Sequence, residues 1–202
     1  MADLKLYYTS TSCGAASFIT ATIGGVDFDS ETVDLRSHKT KSGADFFAIN
    51  PKGNVPTVVL GDGSILTENV AALTYLADKG SADLAPKEGT TERYQYLNNV
   101  GFVTSELHQS FGPFFNPQLT NEAREAATAN LMQRLGKLTT LLGGQRFLDG
   151  KALSAADIYA YIVLSWAGFL NVTLPDAAQA YVEGLRADKG IQEGHAAMAA
   201  RE

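Results

Sequence analysis

Segments that favour β-strands are concentrated in the first third of this chain of 202 residues. Leu4–Tyr8 is apolar and aromatic, and Val26–Leu35 is rich in β-branched residues, so each is predicted to form a strand. Between them, apolar residues recur at helical spacing from Ala15 to Ile23, and two glycines then end the predicted helix. A strand, a helix and a returning strand form a βαβ unit, whose crossover is expected to be right-handed.

The segment that follows extends the same half of the chain. Ser42–Ile49 is predicted to be a short helix. Two short apolar strands, Thr57–Leu60 and Ser64–Leu66, flank an Asp-Gly pair, which is a strong hairpin signal. Val70–Ala77 then has helical spacing. The order β-α-β-(α)-β-β-α predicts a thioredoxin-like domain with a mixed sheet.

The character of the sequence changes at GSADLAPKEGTT, residues 80–91, whose glycines, proline and charges predict a linker. Downstream, helical patterns cover Glu92–Ser110, Glu122–Leu142, Ser154–Leu170 and Asp176–Ala187. The predicted fold class is therefore α/β plus all-α. It comprises a thioredoxin-like domain over residues 1–79, the linker over 80–91 and an all-helical bundle domain over 92–202.

The bulk composition narrows the function classes. Hydrophobic residues make up 45% of the chain and charged residues 19%, which is typical of a globular protein. Because the net charge is −6 and no Lys/Arg cluster is present, neither nucleic acid nor a membrane is expected as a partner. The longest apolar run, Ile158–Leu170, is shorter than the about 20 residues that span a bilayer. The lone cysteine and the lack of a secretory signal predict a cytoplasmic location.

Cys13, the only cysteine, lies where the first predicted strand gives way to the first predicted helix. With Thr11 or Ser12 as the N-cap, it falls in the first turn, beside unpaired backbone N–H groups and the positive end of the helix dipole. This environment favours the thiolate form. A small buried apolar residue is the alternative interpretation. Because Ala16 stands where a CxxC motif needs its second cysteine, a dithiol exchanger is excluded.

Two further motifs point to a ligand. In NVP, a turn at Pro56 would present the N–H and C=O of Val55 to a peptide-like ligand, with an ordinary turn proline as the alternative. In LTEN, Thr67 is predicted to cap a helix that begins at Glu68. Glu68 and Asn69 would then suit an amino-acid head group, or Glu68 would only complement the helix dipole. A thiol, a peptide-pairing turn and a head-group site match the three parts of glutathione.

Four stretches of sequence extend this interpretation: KLYYTSTSC, NPKGNVP followed by LTEN, SELHQSFGPFF, and FLDGKALSAADIYAY. Together they resemble the glutathione S-transferase family, and in particular its beta-like class from bacteria. The resemblance covers nearly the whole chain. It implies a glutathione site with a cis-proline, glutathione as co-substrate, a helical domain that supplies a hydrophobic substrate pocket, and a homodimer. No metal is expected.

The resemblance also implies roles for individual residues. Cys13 matches a cysteine that can hold glutathione as a mixed disulfide, and His108 matches a histidine that reaches the active site from the helical domain. Tyr8 lies where the family often has an aromatic hydroxyl, which completes the candidate catalytic set. The candidate glutathione-binding residues are Lys39, Asn54, Val55, Pro56, Glu68 and Asn69. The predicted substrate pocket includes Phe111, Phe115 and Trp166, which are equally compatible with a core position.

The chain also departs from the beta-class pattern. Ser10 and Thr11 replace Pro-Gly, Gly101 replaces an asparagine, and Gln109 replaces a lysine. Asn69 replaces a serine, but its amide can still donate a hydrogen bond.

Taken together, the motifs and the family resemblance predict a glutathione transferase that acts on a hydrophobic electrophile. The alternatives are a thiol transferase that passes through a mixed disulfide of the cysteine, and a non-catalytic carrier.

Overall fold

The structure, a computed structural model, describes residues 3–201. These residues form two compact units. The first holds the chain up to Ala85 together with the chain from Lys189 onward, and the second is Pro86–Asp188. Within residues 3–201, no helix is both long enough and apolar enough to cross a membrane.

The first unit is built on a mixed sheet. Its strands are β1 (Leu4–Tyr8), β2 (Asp29–Asp34), β3 (Lys39–Thr40), β4 (Thr57–Leu60) and β5 (Ile65–Leu66), in the spatial order β3-β2-β1-β4-β5. The central strand β1 pairs parallel with β2, where Leu6 faces Ser30, and antiparallel with β4, where Leu6 faces Val58. The predicted mixed sheet, βαβ unit and hairpin are confirmed.

Two helices follow strands of this sheet, α1 (Gly14–Ile23) and α2 (Asn69–Lys79). α1 lies almost wholly in the core, because its residues are apolar or small. The Tyr8 ring contacts Phe18 with centroids 4.9 Å apart, and the Phe18 and Phe28 rings lie 5.2 Å apart in a T-shaped contact. These aromatic contacts hold α1 on the sheet and so fix the position of the loop that joins β1 to α1.

The second unit is helical. Its helices are α3 (Thr91–Phe102), α4 (Gln109–Phe111), α5 (Asn121–Leu142), α6 (Ala155–Phe169) and α7 (Asp176–Arg186). A π-helical segment, Val103–His108, joins α3 to α4, and a 3₁₀ turn, Gly112–Phe115, follows α4. The predicted all-helical second half is confirmed.

A buried capping box starts α6, as the motif SAAD predicts. The N–H and hydroxyl of Ser154 donate to Asp157 Oδ2 at 2.9 and 2.6 Å, and the Asp157 N–H donates back to the Ser154 hydroxyl. The Leu148 N–H and the Tyr181 hydroxyl donate to Asp157 Oδ1 at 2.8 and 2.7 Å. Burial raises the pKa of Asp157, and these four donors to its carboxylate oppose that shift. The box fixes the start of the helix that carries part of the candidate site.

The π segment is a feature that the sequence prediction missed, and it has a local cause. The hydroxyls of Thr104 and Ser105 donate to the backbone carbonyls of Val100 and Gly101, at 2.8 and 2.9 Å. Such side-chain bonds compete for the carbonyl four residues earlier and disturb the regular α-helical ladder. The helix is therefore widened immediately before and at His108.

The predicted helix over Ser42–Ile49 is wrong in length. Only a 3₁₀ turn, Phe46–Ala48, forms there, and Asp45 caps it by accepting from the Phe47 N–H at 3.0 Å. The side chain of Asp45 is well suited to this local bond, which stabilises a turn in place of a longer helix.

A last helix, α8 (Lys189–Ala199), was not predicted and belongs to the first unit, where it packs on α1. The packing is close at Gly194, since a Cβ there would lie 2.8 Å from Ile19 Cγ2. The Arg201 guanidinium lies 4.5 Å from the centroid of the Phe28 ring. By its contacts α8 belongs to the first unit, although the sequence analysis included it in a helical domain over residues 92–202.

Candidate active site

Cys13 lies at the start of α1 as its N-cap residue. The sequence predicted Thr11 or Ser12 at this position and Cys13 one place further into the helix. Ser12 nevertheless organises the turn, because its hydroxyl donates to the Thr9 carbonyl at 2.8 Å and accepts from the Gly14 N–H at 3.1 Å. The thiol is thereby held at the edge of the sheet where β1 ends.

The Cys13 thiol contacts the loop that precedes β4. Its Sγ donates a hydrogen bond to the Val55 carbonyl at 3.3 Å, and Cys13 is only 8% exposed. The Val55–Pro56 peptide bond is cis, as the family resemblance implied. Because β1 and β4 are antiparallel, with Tyr7 opposite Thr57, the end of β1 and the start of β4 lie at the same edge of the sheet.

Burial sets the protonation state of this thiol. Desolvation raises the pKa of Cys13, while the Asn69 side chain and the backbone N–H groups of Cys13 and Gly14 lower it. The Glu68 carboxylate adds a further increase. The net pKa is raised, so the thiol is neutral at pH 7. The helix start favours the thiolate as expected, because these N–H groups lower the pKa of Cys13, but desolvation outweighs them and the net pKa is raised instead of lowered.

Unpaired polar groups surround the thiol. Asn69, the first residue of α2, is 8% exposed, and its buried Oδ1 has no hydrogen-bond partner among the described residues. The Val55 N–H likewise donates to no acceptor within that part of the chain. Buried polar groups of this kind are normally satisfied, so both are available to a ligand.

Glu68 caps α2 in an extended conformation, without a side-chain bond to the helix. The predicted cap at Thr67 is wrong: α2 begins at Asn69, and the Thr67 hydroxyl accepts from Lys52 Nζ at 3.1 Å. Lys52 Nζ also lies 2.7 Å from Glu68 Oε1, but both side chains are exposed, so this ion pair stabilises the loop only weakly. The Glu68 carboxylate is therefore accessible to a ligand.

Asn50 is a positioning residue that the sequence analysis missed. It is 1% exposed, and its Nδ2 lies 2.9 Å from the Asn54 carbonyl, from Asn54 Oδ1 and from Thr57 Oγ1. Its Oδ1 accepts from the Lys52 N–H at 3.0 Å. Asn50 thus fixes the loop that carries Val55. An asparagine directly before a proline, in a segment rich in turn residues, was the available signal.

Two further residues predicted for this site, Tyr8 and Lys39, lie on strands of the sheet. Tyr8 is fully buried and packs on Phe18, so its ring belongs to the core, and its catalytic role stays a prediction. Lys39 is exposed on the edge strand β3, opposite Asp34. No described contact joins Lys39 to Cys13.

The second unit gathers the aromatic candidates around His108. Its Nδ1 lies 2.6 Å from the Tyr159 hydroxyl oxygen, and its ring meets Trp166 at 4.9 Å in a T-shaped contact. Burial lowers the pKa of His108, which keeps the ring neutral near pH 7. Phe115 packs on Trp166 at 5.2 Å and is 48% exposed. Phe111 is fully buried, so it forms part of the core and exposes no surface to a substrate.

Two family models match the chain, "Glutathione S-transferase, N-terminal domain" over residues 15–79 and "Glutathione S-transferase, C-terminal domain" over residues 102–185. A curated relative, the glutathione S-transferase GstA of Escherichia coli O157:H7, is 35% identical over 172 residues, which cover 85% of this chain and 86% of GstA. The chain belongs to the glutathione S-transferase family.

Solved structures of bacterial glutathione S-transferases resemble the whole fold. A sphingomonad enzyme complexed with glutathione has 36% sequence identity and a TM-score of 0.88, over 96% of this chain and 98% of that one. A beta-class enzyme from Sphingomonas chungbukensis has 34% identity and a TM-score of 0.88 with the same coverage. The resemblance to this family and to its beta-like class is confirmed.

We expect opposite effects on the Cys13 thiol from its two neighbours on α2. Asn69→Ala removes a group that lowers the Cys13 pKa, so less thiolate exists at pH 7 and alkylation slows by about two- to tenfold. Glu68→Gln removes a charge that raises the pKa, so alkylation becomes faster. Mass spectrometry with iodoacetamide measures both rates directly, because the chain has one cysteine.

Asp62→Asn is the matched control, since Asp62 is an exposed acid in the hairpin turn and its described bonds are to Ser64. It should leave the alkylation rate unchanged. All rates should converge above the highest thiol pKa, where every variant is thiolate. Faster alkylation of Asn69→Ala at pH 7 would contradict the assignment.

Proposed function

We propose that this family member is a glutathione transferase that conjugates the thiol of glutathione to a hydrophobic electrophile. The observation that carries the proposal is the grouping of a neutral Cys13 thiol, a free Val55 N–H and the buried Asn69 amide at one edge of the sheet. The related sphingomonad enzyme, complexed with glutathione, supports the choice of co-substrate.

Glutathione supplies a complement to each of these groups. Its cysteinyl N–H and C=O form a peptide-like edge, and the Val55 N–H can donate to that carbonyl. Its γ-glutamyl ammonium can donate to the exposed Glu68 carboxylate and to Asn69 Oδ1. Its γ-glutamyl carboxylate suits the free N–H groups at the start of α2. Lys39 and Asn54 remain proposed contacts on the strength of the family resemblance alone.

The chemical task is to make the glutathione sulfur nucleophilic. A free thiol has a pKa of about 8.5 and is mostly protonated at pH 7. Lowering that pKa by about two units requires roughly 2.7 kcal/mol of preferential stabilisation of the thiolate. In the absence of ligand, the Cys13 S–H donates to the Val55 carbonyl. When glutathione is bound, the same S–H can donate to its thiolate, and the positive end of the α1 dipole stabilises that thiolate further. The thiol proton leaves to solvent, a carbon–sulfur bond forms, and the leaving group departs with its electron pair.

The helical unit offers apolar surface for the electrophile. Phe115 and Phe169 are 48% and 57% exposed, and their rings lie 6.1 Å apart. Phe115 rests on the buried Trp166. These three side chains form a rigid aromatic patch that suits a flat, apolar substrate. We propose that Phe115, Trp166 and Phe169 bind the electrophile. Phe111 is not included, because its side chain is fully buried.

Thiol transfer is the second candidate, favoured by the presence of a cysteine at the sulfur contact. In that reaction the Cys13 thiolate attacks a glutathionylated substrate, releases the substrate thiolate and forms a mixed disulfide. A second glutathione thiolate then attacks this bond and yields oxidised glutathione. The raised pKa of Cys13 opposes this route, because the neutral thiol is a poor nucleophile. Conjugation, which needs Cys13 only as a donor, is therefore preferred.

We expect Cys13→Ala to reduce conjugation of an aryl halide by about three- to thirtyfold without abolishing it, because one hydrogen bond to the thiolate is lost. Cys13→Ser retains a donor and should keep more activity than Cys13→Ala. Both variants should be inactive in reducing a glutathionylated peptide, and so should the wild type.

The same two assays decide between the candidates. Peptide reduction by the wild type that Cys13→Ser abolishes would establish thiol transfer in place of conjugation. Tight glutathione binding without turnover of a broad panel of electrophiles would leave only the carrier. Isothermal titration measures that binding independently of either reaction.

We also propose a cytoplasmic homodimer that uses no metal. The family resemblance supports the dimer, and the free Cys13 thiol fits a reducing compartment. Sedimentation velocity at micromolar concentration should give the mass of two chains of 21.5 kDa each. A single species at the mass of one chain would contradict the dimer.

A further inference from the structure

The His108 ring is held by two aromatic side chains of α6. Tyr159 meets it at 5.8 Å and Trp166 at 4.9 Å between ring centroids, both in edge-on contacts. Tyr159 is fully buried, and its hydroxyl oxygen lies 2.6 Å from His108 Nδ1. These contacts fix which of the two ring nitrogens faces Tyr159.

The distance between the two atoms bears on which of them is the donor. Bonds donated by N–H to oxygen usually measure about 2.7–3.2 Å, with a mode near 2.9–3.0 Å, whereas hydroxyl donors reach about 2.5–3.0 Å. The 2.6 Å separation lies within the hydroxyl range and below the usual N–H range, so it favours the Tyr159 hydroxyl as donor and His108 Nδ1 as acceptor.

The tautomer follows from the protonation state of the ring. Neutral imidazole carries one N–H donor and one acceptor nitrogen. Burial lowers the pKa of His108 and so keeps it neutral near pH 7. The nearest acid in the sequence, Glu106 on the same π segment, forms ion pairs with Lys137 at 2.7 Å and with Arg134 at 3.2 Å, so its carboxylate is already paired with cations. If Nδ1 is the acceptor, the ring hydrogen lies on Nε2.

We propose that Tyr159 is a positioning residue that fixes His108 in the Nε2–H tautomer, so that His108 serves the reaction as a hydrogen-bond donor and not as a general base. An Nε2–H can stabilise a departing anion, but it has no lone pair with which to remove a proton. The identity of the anion rests on the proposed function, whereas the tautomer does not.

Nitrogen NMR of the full-length protein tests the tautomer. In the ¹⁵N-labelled wild type at pH 8, His108 should show a pyridine-like Nδ1 and a pyrrole-like Nε2. The His108→Gln variant identifies these signals among those of the three histidines. A pyrrole-like Nδ1 in the wild type would overturn the proposal without any variant at Tyr159.

Matched variants on α6 test the role of the hydroxyl. Tyr159→Phe should move the Nδ1 resonance towards that of a pyridine-like nitrogen without a hydrogen bond. Tyr161→Phe, two residues further along the same helix, should leave it in place. An Nδ1 resonance that Tyr159→Phe does not shift would overturn the assignment of the donor.

Aryl-halide conjugation tests the donor role. His108→Gln presents an amide N–H but no base, so we expect it to retain activity within about threefold of wild type. His108→Leu presents neither and should lose about tenfold or more. Equal losses in both would overturn the donor role. A wild type that conjugates no electrophile would instead overturn the proposed function and leave the NMR result to decide the Tyr159–His108 bond.

Discussion

The hydrogen bond from the buried Cys13 thiol to the Val55 carbonyl is the interaction on which the candidate site depends. It joins two loops that are 42 residues apart in the sequence, and it requires the thiol to remain protonated. Two opposing effects act on that proton. Nearby N–H donors and the Asn69 amide favour the thiolate, while removal from water favours the thiol, and removal from water prevails. In the proposed mechanism, Cys13 donates this hydrogen to the sulfur of bound glutathione.

The arrangement of the sheet makes this contact possible. β1 lies between a parallel neighbour and an antiparallel one, so the end of β1 and the start of β4 share one edge. Asn50 holds the second loop from within, and α8 covers the helix that carries the thiol. The aromatic core beneath α1 includes Tyr8, whose hydroxyl is buried with the rest of its ring. Asn50 and Tyr8 therefore stabilise the loop and the strand that carry the candidate site, while Cys13 and Val55 remain the proposed ligand contacts.

Much of this could be predicted from the sequence, because local patterns determine it. The strand Thr57–Leu60 and the capping box at Ser154 follow from turn signals and residue types. The net pKa of Cys13 could not be predicted, since it depends on burial by groups distant in the sequence. α8 was missed because its two glycines weaken the helical pattern, and packing on Ile19 stabilises it. The π segment depends on two hydroxyl bonds whose direction the sequence does not specify.

A crystal structure with bound glutathione tests the central claim most directly. We predict that the glutathione sulfur lies within hydrogen-bond distance of Cys13 Sγ without a covalent bond, and that Val55 pairs with the cysteinyl backbone of the ligand. A continuous disulfide, with the two sulfurs about 2.05 Å apart, would contradict the claim that the neutral thiol acts as a donor. Glutathione bound away from Cys13 would contradict the site itself.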